Sequence, residues 1–139
     1  MTAKQFLSQA RRIDKRIDNY VEEITQLLTL ATKTTPSNAQ ERVQSSGTGD
    51  KVGDGASKIA DLQKEMDRWV DELLIKKEEI RKVIEQVDDT DCYDLLYKRY
   101  ILYKKWEQIA VDKDITTMGV WKMHGRALKK VEKILESLL

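Results

Sequence analysis

Apolar side chains recur early in this chain in alternating steps of four and three: Phe6, Ala10, Ile13, Ile17, Tyr20, Ile24, Leu27 and Ala31. A repeat averaging three and a half residues keeps one apolar stripe on the same side of an α-helix and matches the seam of a coiled coil. The pattern resumes at Ile59, Leu62, Met66, Trp69 and Leu73, is interrupted where the register lands on Lys76, and continues at Ile80, Val83 and Val87. Two seams in one chain predict a long antiparallel coiled-coil hairpin over residues 1–90. Thr2 followed three residues later by Gln5 fits a capping box at its start, with hydroxyl and amide each satisfying a backbone donor. Between residues 34 and 57 the periodicity stops. This stretch holds Pro36 and four of the six glycines, Gly47, Gly49, Gly53 and Gly55, and reads as a flexible loop.

The single proline and the 35 % of charged residues agree with an all-α protein, since most of the remaining residues are good helix formers. A lone cysteine, Cys92, and a lone histidine, His124, cannot build a disulfide framework or a closed zinc site within one chain. Neither a metal nor a cofactor is therefore expected. No run of eighteen apolar residues and no signal-peptide pattern occurs, which predicts a cytoplasmic protein without membrane contact. Catalytic constellations are missing as well. There is no Ser-His-Asp set and no glycine loop to cradle phosphate, so a non-enzyme is expected.

Net charge is only +1, and its distribution carries more information than its sum. Residues 1–90 hold 15 basic and 17 acidic side chains, whereas residues 97–133 hold 10 basic and 4 acidic ones. Around the boundary lie Asp88, Asp89, Asp91 and Asp94, where one helix ends and another begins; acids there serve as caps and complement a helix dipole. Within residues 91–139 three short helices can be drawn, from Asp91 to about Tyr103, from Trp106 to about Lys113, and from Thr116 to the C-terminus. Their tight connections fit a helix-turn-helix domain. Ala110 supplies the small packing residue, Asp114 the turn residue tolerant of positive φ, and Val120 the buried branched side chain.

On this reading Thr116 caps the last helix, while Val120, Met123, Ala127, Leu128, Val131 and Leu135 face inward. Thr117, Met118, Trp121, Lys122, Gly125 and Lys129 face outward. That stripe suits a major groove: Met118 and the Thr117 methyl can touch thymine methyls, and Lys122 can donate to guanine. Thr116, Thr117, Met118, Trp121, Lys122, Arg126, Lys129 and Lys130 are accordingly the expected DNA-binding residues. Cys92 lies beside acids, which disfavour a thiolate, and Tyr93, Tyr97, Tyr100 and Tyr103 recur at helical spacing as core residues.

Several of these residues also resemble a known family. Trp106-Glu107-Gln108-Ile109-Ala110, the turn, Val120, and Gly125-Arg126-Ala127-Leu128-Lys129-Lys130 resemble region 4 of sigma-70 family factors, which reads the −35 promoter element. With Thr2-Ala3-Lys4-Gln5-Phe6-Leu7, Arg12-Ile13-Asp14, Leu95-Leu96 and Arg99-Tyr100, the chain is similar to small phage and prophage sigma-like proteins of Gram-positive bacteria. Their relatives are late transcriptional regulators of the ArpU and RinA type. The resemblance implies sequence-specific binding of double-stranded DNA in a bacterial host cell, with Thr117, Met118, Trp121 and Lys122 where region 4 places its base and phosphate contacts. It departs from the family where Thr117, Met118 and Gly119 replace the usual arginine and glutamate, which implies a different target sequence. It departs again at Lys105, which replaces the hydroxyl residue that caps the preceding helix.

The hairpin would then form a homodimer or contact RNA polymerase. A dimer on a palindrome needs half-sites about 34 to 36 Å apart, or multiples of that. Two further readings compete: a DNA-packaging protein akin to a terminase small subunit, and a coiled-coil interaction module that does not bind DNA.

Overall fold

The computed structural model describes residues 1–37 and 46–139. Their elements are helix α1 (Ala3–Leu7), α2 (Gln9–Ser37), α3 (Ser46–Glu85), α4 (Thr90–Leu96), a π-helical turn (Tyr97–Ile101), α5 (Trp106–Lys113) and α6 (Thr117–Ser137). The chain is all-helical, with no strand among the described residues. No helix among them is long and apolar enough to cross a membrane.

The loop expected over residues 34–57 is not formed across that whole span. Helix α2 runs to Ser37 and α3 already begins at Ser46, while residues 38–45 lie outside the described residues. A glycine costs about 1 kcal/mol of helix propensity relative to alanine, too little by itself to stop a long helix. Gly53 and Gly55 are carried inside α3 on that account.

The chain divides into two compact units, one of Met1–Ile13 with Leu73–Leu139 and the other of Asp14–Glu72. The division falls within α2 and α3, rather than at residue 90, because the inner ends of those helices share a core with the C-terminal segment. In the first unit that core is built on Leu7, Ile80, Ile84, Leu95, Ile109 and Val120, each with essentially no exposed surface. Helix α6 packs against α1, α4 and α5. It buries Val120, Ala127 and Val131, with Met123, Leu128 and Leu135 half-buried beside them, which is the inward face the spacing predicts.

Local signals account for the helix starts. Thr2 Oγ1 accepts from the Gln5 amide at 3.2 Å while Gln5 Oε1 accepts from the Thr2 amide at 2.9 Å, completing the capping box. Asp89 caps α4 by accepting from the Asp91 and Cys92 amides, and these bonds, the Cys92 one foremost, hold its carboxyl below the usual carboxylate range. The acidic patch is otherwise neutralised by lysines. Lys113 lies 3.0 Å from Asp94 and 3.7 Å from Asp91, Lys98 lies 2.7 Å from Asp94, and Lys130 lies 3.4 Å from Asp88. Burial alone would raise Asp94, but the hydrogen bonds from Lys98 and Lys113 outweigh it and bring the carboxyl below its ordinary value. Burial pushes the Cys92 thiol up, reinforced by the Asp89 charge.

The helix expected from Asp91 to about Tyr103 is shorter as an α-helix. After Leu96 the chain widens into the π-helical turn, with Leu102 N–H donating five residues back to Tyr97, and Tyr103 adopts φ 57°. Lys104 N–H then donates to Lys98 O at 2.9 Å, returning the chain toward α5.

In the second unit, the Arg16 guanidinium lies 4.6 Å from the centre of the Trp69 ring, and the Tyr20 hydroxyl donates to Glu65 at 3.3 Å. Stepping forward by four along α2 steps back by four along α3, so these segments run in opposite directions. Ile24 is buried there, and Ile17, Leu27, Ile59, Leu62 and Met66 are half-buried.

Candidate nucleic-acid interface

Helices α5 and α6 are joined by only three residues, 114–116. Asp114 ends α5 in the left-handed conformation, φ 54° and ψ 46°. Its N–H donates to Val111 O at 3.1 Å, and the Ile115 N–H donates to Ala110 O at 3.0 Å, the paired bonds of a Schellman motif. Ile115 is half-buried against the core, supplying the apolar contact that accompanies such a cap. Thr116 then starts α6, its hydroxyl accepting from Gly119 N–H at 3.0 Å. A Cβ at position 119 would meet that hydroxyl oxygen at 3.3 Å, so glycine leaves the cap its room. Lys105, by contrast, gives α5 no side-chain cap.

This geometry turns one face of α6 outward. Met118 is 66 % exposed and Trp121 56 %, and Thr116, Thr117, Lys122, Gly125, Arg126 and Lys129 are exposed too. At about 100° per residue, Met118, Trp121, Lys122, Gly125 and Lys129 share one stripe, with Arg126 at its edge. Residues 117–131 contain no carboxylate. Among the described residues, Lys122, Arg126 and Lys129 take part in none of the salt bridges. Three predicted residues stand apart from the stripe: Thr117 is exposed but lies about 100° round the helix from Met118, away from Lys122 and Lys129. Thr116 spends its hydroxyl on the cap, and Lys130 is half-buried and paired with Asp88.

Trp121 is held in place from one side. Its ring stacks on Trp106 with centroids 5.5 Å apart, and Trp106 also receives the Arg99 guanidinium at 4.4 Å and the His124 ring edge-on at 4.6 Å. His124, 7 % exposed, lies 2.7 Å from the Tyr100 hydroxyl through Nε2. Burial, then the charges of Lys4 and Arg99, push His124 down to about 4, while burial pushes Tyr100 up to about 12. The pair is neutral at physiological pH and acts as a buried polar strut, not as an acid–base couple.

Sequence reasoning missed this supporting layer. Its outward signal was the Arg99-Tyr100 pair ahead of Trp106, but nothing local to those residues places Lys4 or His124 beside them. No family model matches the chain, and no curated protein and no solved structure matches it.

Proposed function

We propose that the protein is a sequence-specific DNA-binding transcriptional regulator of phage type, with α5 and α6 forming a sigma region 4-like helix-turn-helix and α6 entering the major groove. The observation that carries this reading is the exposed, carboxylate-free stripe Met118, Trp121, Lys122 and Lys129 on a helix launched from a three-residue connection. Apolar and cationic groups on one rigid helix are what reading thymine methyls and guanine edges requires. Internal neutralisation of Lys98, Lys104, Lys113 and Lys130 leaves the unpaired cations of that stripe for phosphate. The antiparallel segments of α2 and α3 act as a coiled-coil hairpin for dimerisation or for RNA polymerase, supported by exposed Val21, Leu28 and Leu30. The protein works in the cytoplasm of a bacterial host and catalyses no reaction.

The test is selection of bound fragments from random duplex DNA, repeated with two variants. Lys122→Ala should relax preference at one base pair by about 1–3 kcal/mol, whereas Lys129→Ala should weaken all sequences alike and make the salt dependence shallower. Equal effects from both substitutions, or no enriched sequence with the unaltered protein, would refute the assignment.

A further inference from the structure

Beside the exposed stripe, and sharing only Trp121 with it, is a second feature whose cations the reading of bases does not use. Lys4 of α1, Arg11 of α2 and Arg99 of the π-helical turn converge on one cleft of about 150 Å³, closed by Ser8 and by the rings of Trp106 and Trp121. Three cations from three separate elements meet here, and no carboxylate lines the space. Among the described residues none of the three is in a salt bridge. Arg99 spends one N–H on Lys104 O at 3.0 Å and its flat face on Trp106, which leaves most of its five donors unassigned.

Gathering like charges without a counter-charge in the cleft is unfavourable, and the effect is visible on Arg99. Burial and then the Arg11 charge lower Arg99 from its ordinary value, with Glu107 the one carboxylate whose field opposes this, from outside the cleft. A bound anion would relieve this repulsion. A tetrahedral oxyanion suits the arrangement, because its oxygens point in different directions and its charge can exceed one, so cations arriving from three separate elements can each meet an oxygen. The cleft's volume of about 150 Å³ has room for one such group.

We propose that this cleft is a phosphate-binding site, taking the phosphate of a small ester or a backbone phosphate of DNA. The site stands on its own geometry, whether or not α6 reads bases. It is tested on the full chain by titrating inorganic phosphate against sodium chloride of matched ionic strength and following the three tryptophan indole N–H signals by NMR. Phosphate should shift Trp106 and Trp121 saturably and spare Trp69, which belongs to the other unit. It should also raise the His124 titration midpoint, by neutralising Lys4 and Arg99. Lys4→Gln and Arg11→Gln should each weaken phosphate binding by about tenfold or more.

The same variants identify the source. A uniform loss of DNA affinity with a salt slope shallower by about one unit places a backbone phosphate in the cleft. Unchanged DNA affinity alongside lost phosphate binding places a small phosphate ester there, and saturable phosphate binding by a chain that binds no DNA keeps the site while removing the DNA reading. The proposal is overturned if chloride reproduces the shifts, if Trp69 moves equally, or if both variants bind phosphate like the parent.

Discussion

Taking the protein from about pH 7 to about pH 5 protonates His124 in the unfolded chain but not in the folded one. The imidazole is 7 % exposed and pushed from 6.5 to about 4, first by burial and then by Lys4 and Arg99. Folding therefore gains from this group in full above the unfolded-state value, and the gain declines as pH falls from 6.5 toward 4. At pH 5 the unfolded imidazole is about 1.5 pKa units above the solution pH; at about 1.4 kcal/mol per unit, the loss is about 2 kcal/mol. The unfolded-state value sets this figure, so a folded-state pKa different by one unit alters it by only a few tenths of a kcal/mol, roughly. Asp89, Asp94 and Asp112, held below 3.8, contribute stability that is lost only at lower pH and leave this window clear. Urea unfolding of the parent and of His124→Gln at both pH values is the assay, read from midpoints at constant slope. The parent should lose about 2 kcal/mol more than the variant. Equal losses in the two proteins would refute the account of His124 as a buried neutral group.

Two helix starts make opposite predictions. Thr116→Ala should cost about 1 kcal/mol by removing the hydroxyl that accepts from Gly119, while Lys105→Ser should add about 1 kcal/mol by giving α5 the cap it lacks; thermal unfolding reads both. Asp114→Gly should stabilise by less than about 1 kcal/mol, because glycine takes φ 54° without a Cβ penalty. A fall in the melting temperature of that variant would show that the Asp114 side chain contributes more than its backbone strain costs.

What was legible in the sequence is what short-range chemistry decides. The Thr2–Gln5 box, the Thr116 cap, the positive φ at Asp114 and the missing cap at Lys105 each depend on residues within three or four positions. The inward and outward faces of α6 were legible for the same reason, since a period of 3.6 fixes them once one side is apolar. Burial of Ile84 was not, because it lies one position off the seam and is covered by the C-terminal segment. Nor was the π-helical turn, whose wider bonds carry no composition signal in Tyr97–Ile101. The cleft of Lys4, Arg11 and Arg99 joins residues almost a hundred positions apart, brought together by the packing of α1 on α6. The extent of α2 and α3 into residues 34–57 is not legible, because a cluster of glycines reads as a stop although each is only a modest cost.

Gly119 leaves the first turn of α6 with a restricted evolutionary vocabulary. Any larger residue there meets the Thr116 oxygen at 3.3 Å, so a side chain gained for recognition requires the cap hydroxyl to give by a few tenths of an ångström. No such neighbour stands at Gly125, further along the helix, where a Cβ would find nothing within 4 Å and a recognition side chain can be added without adjustment.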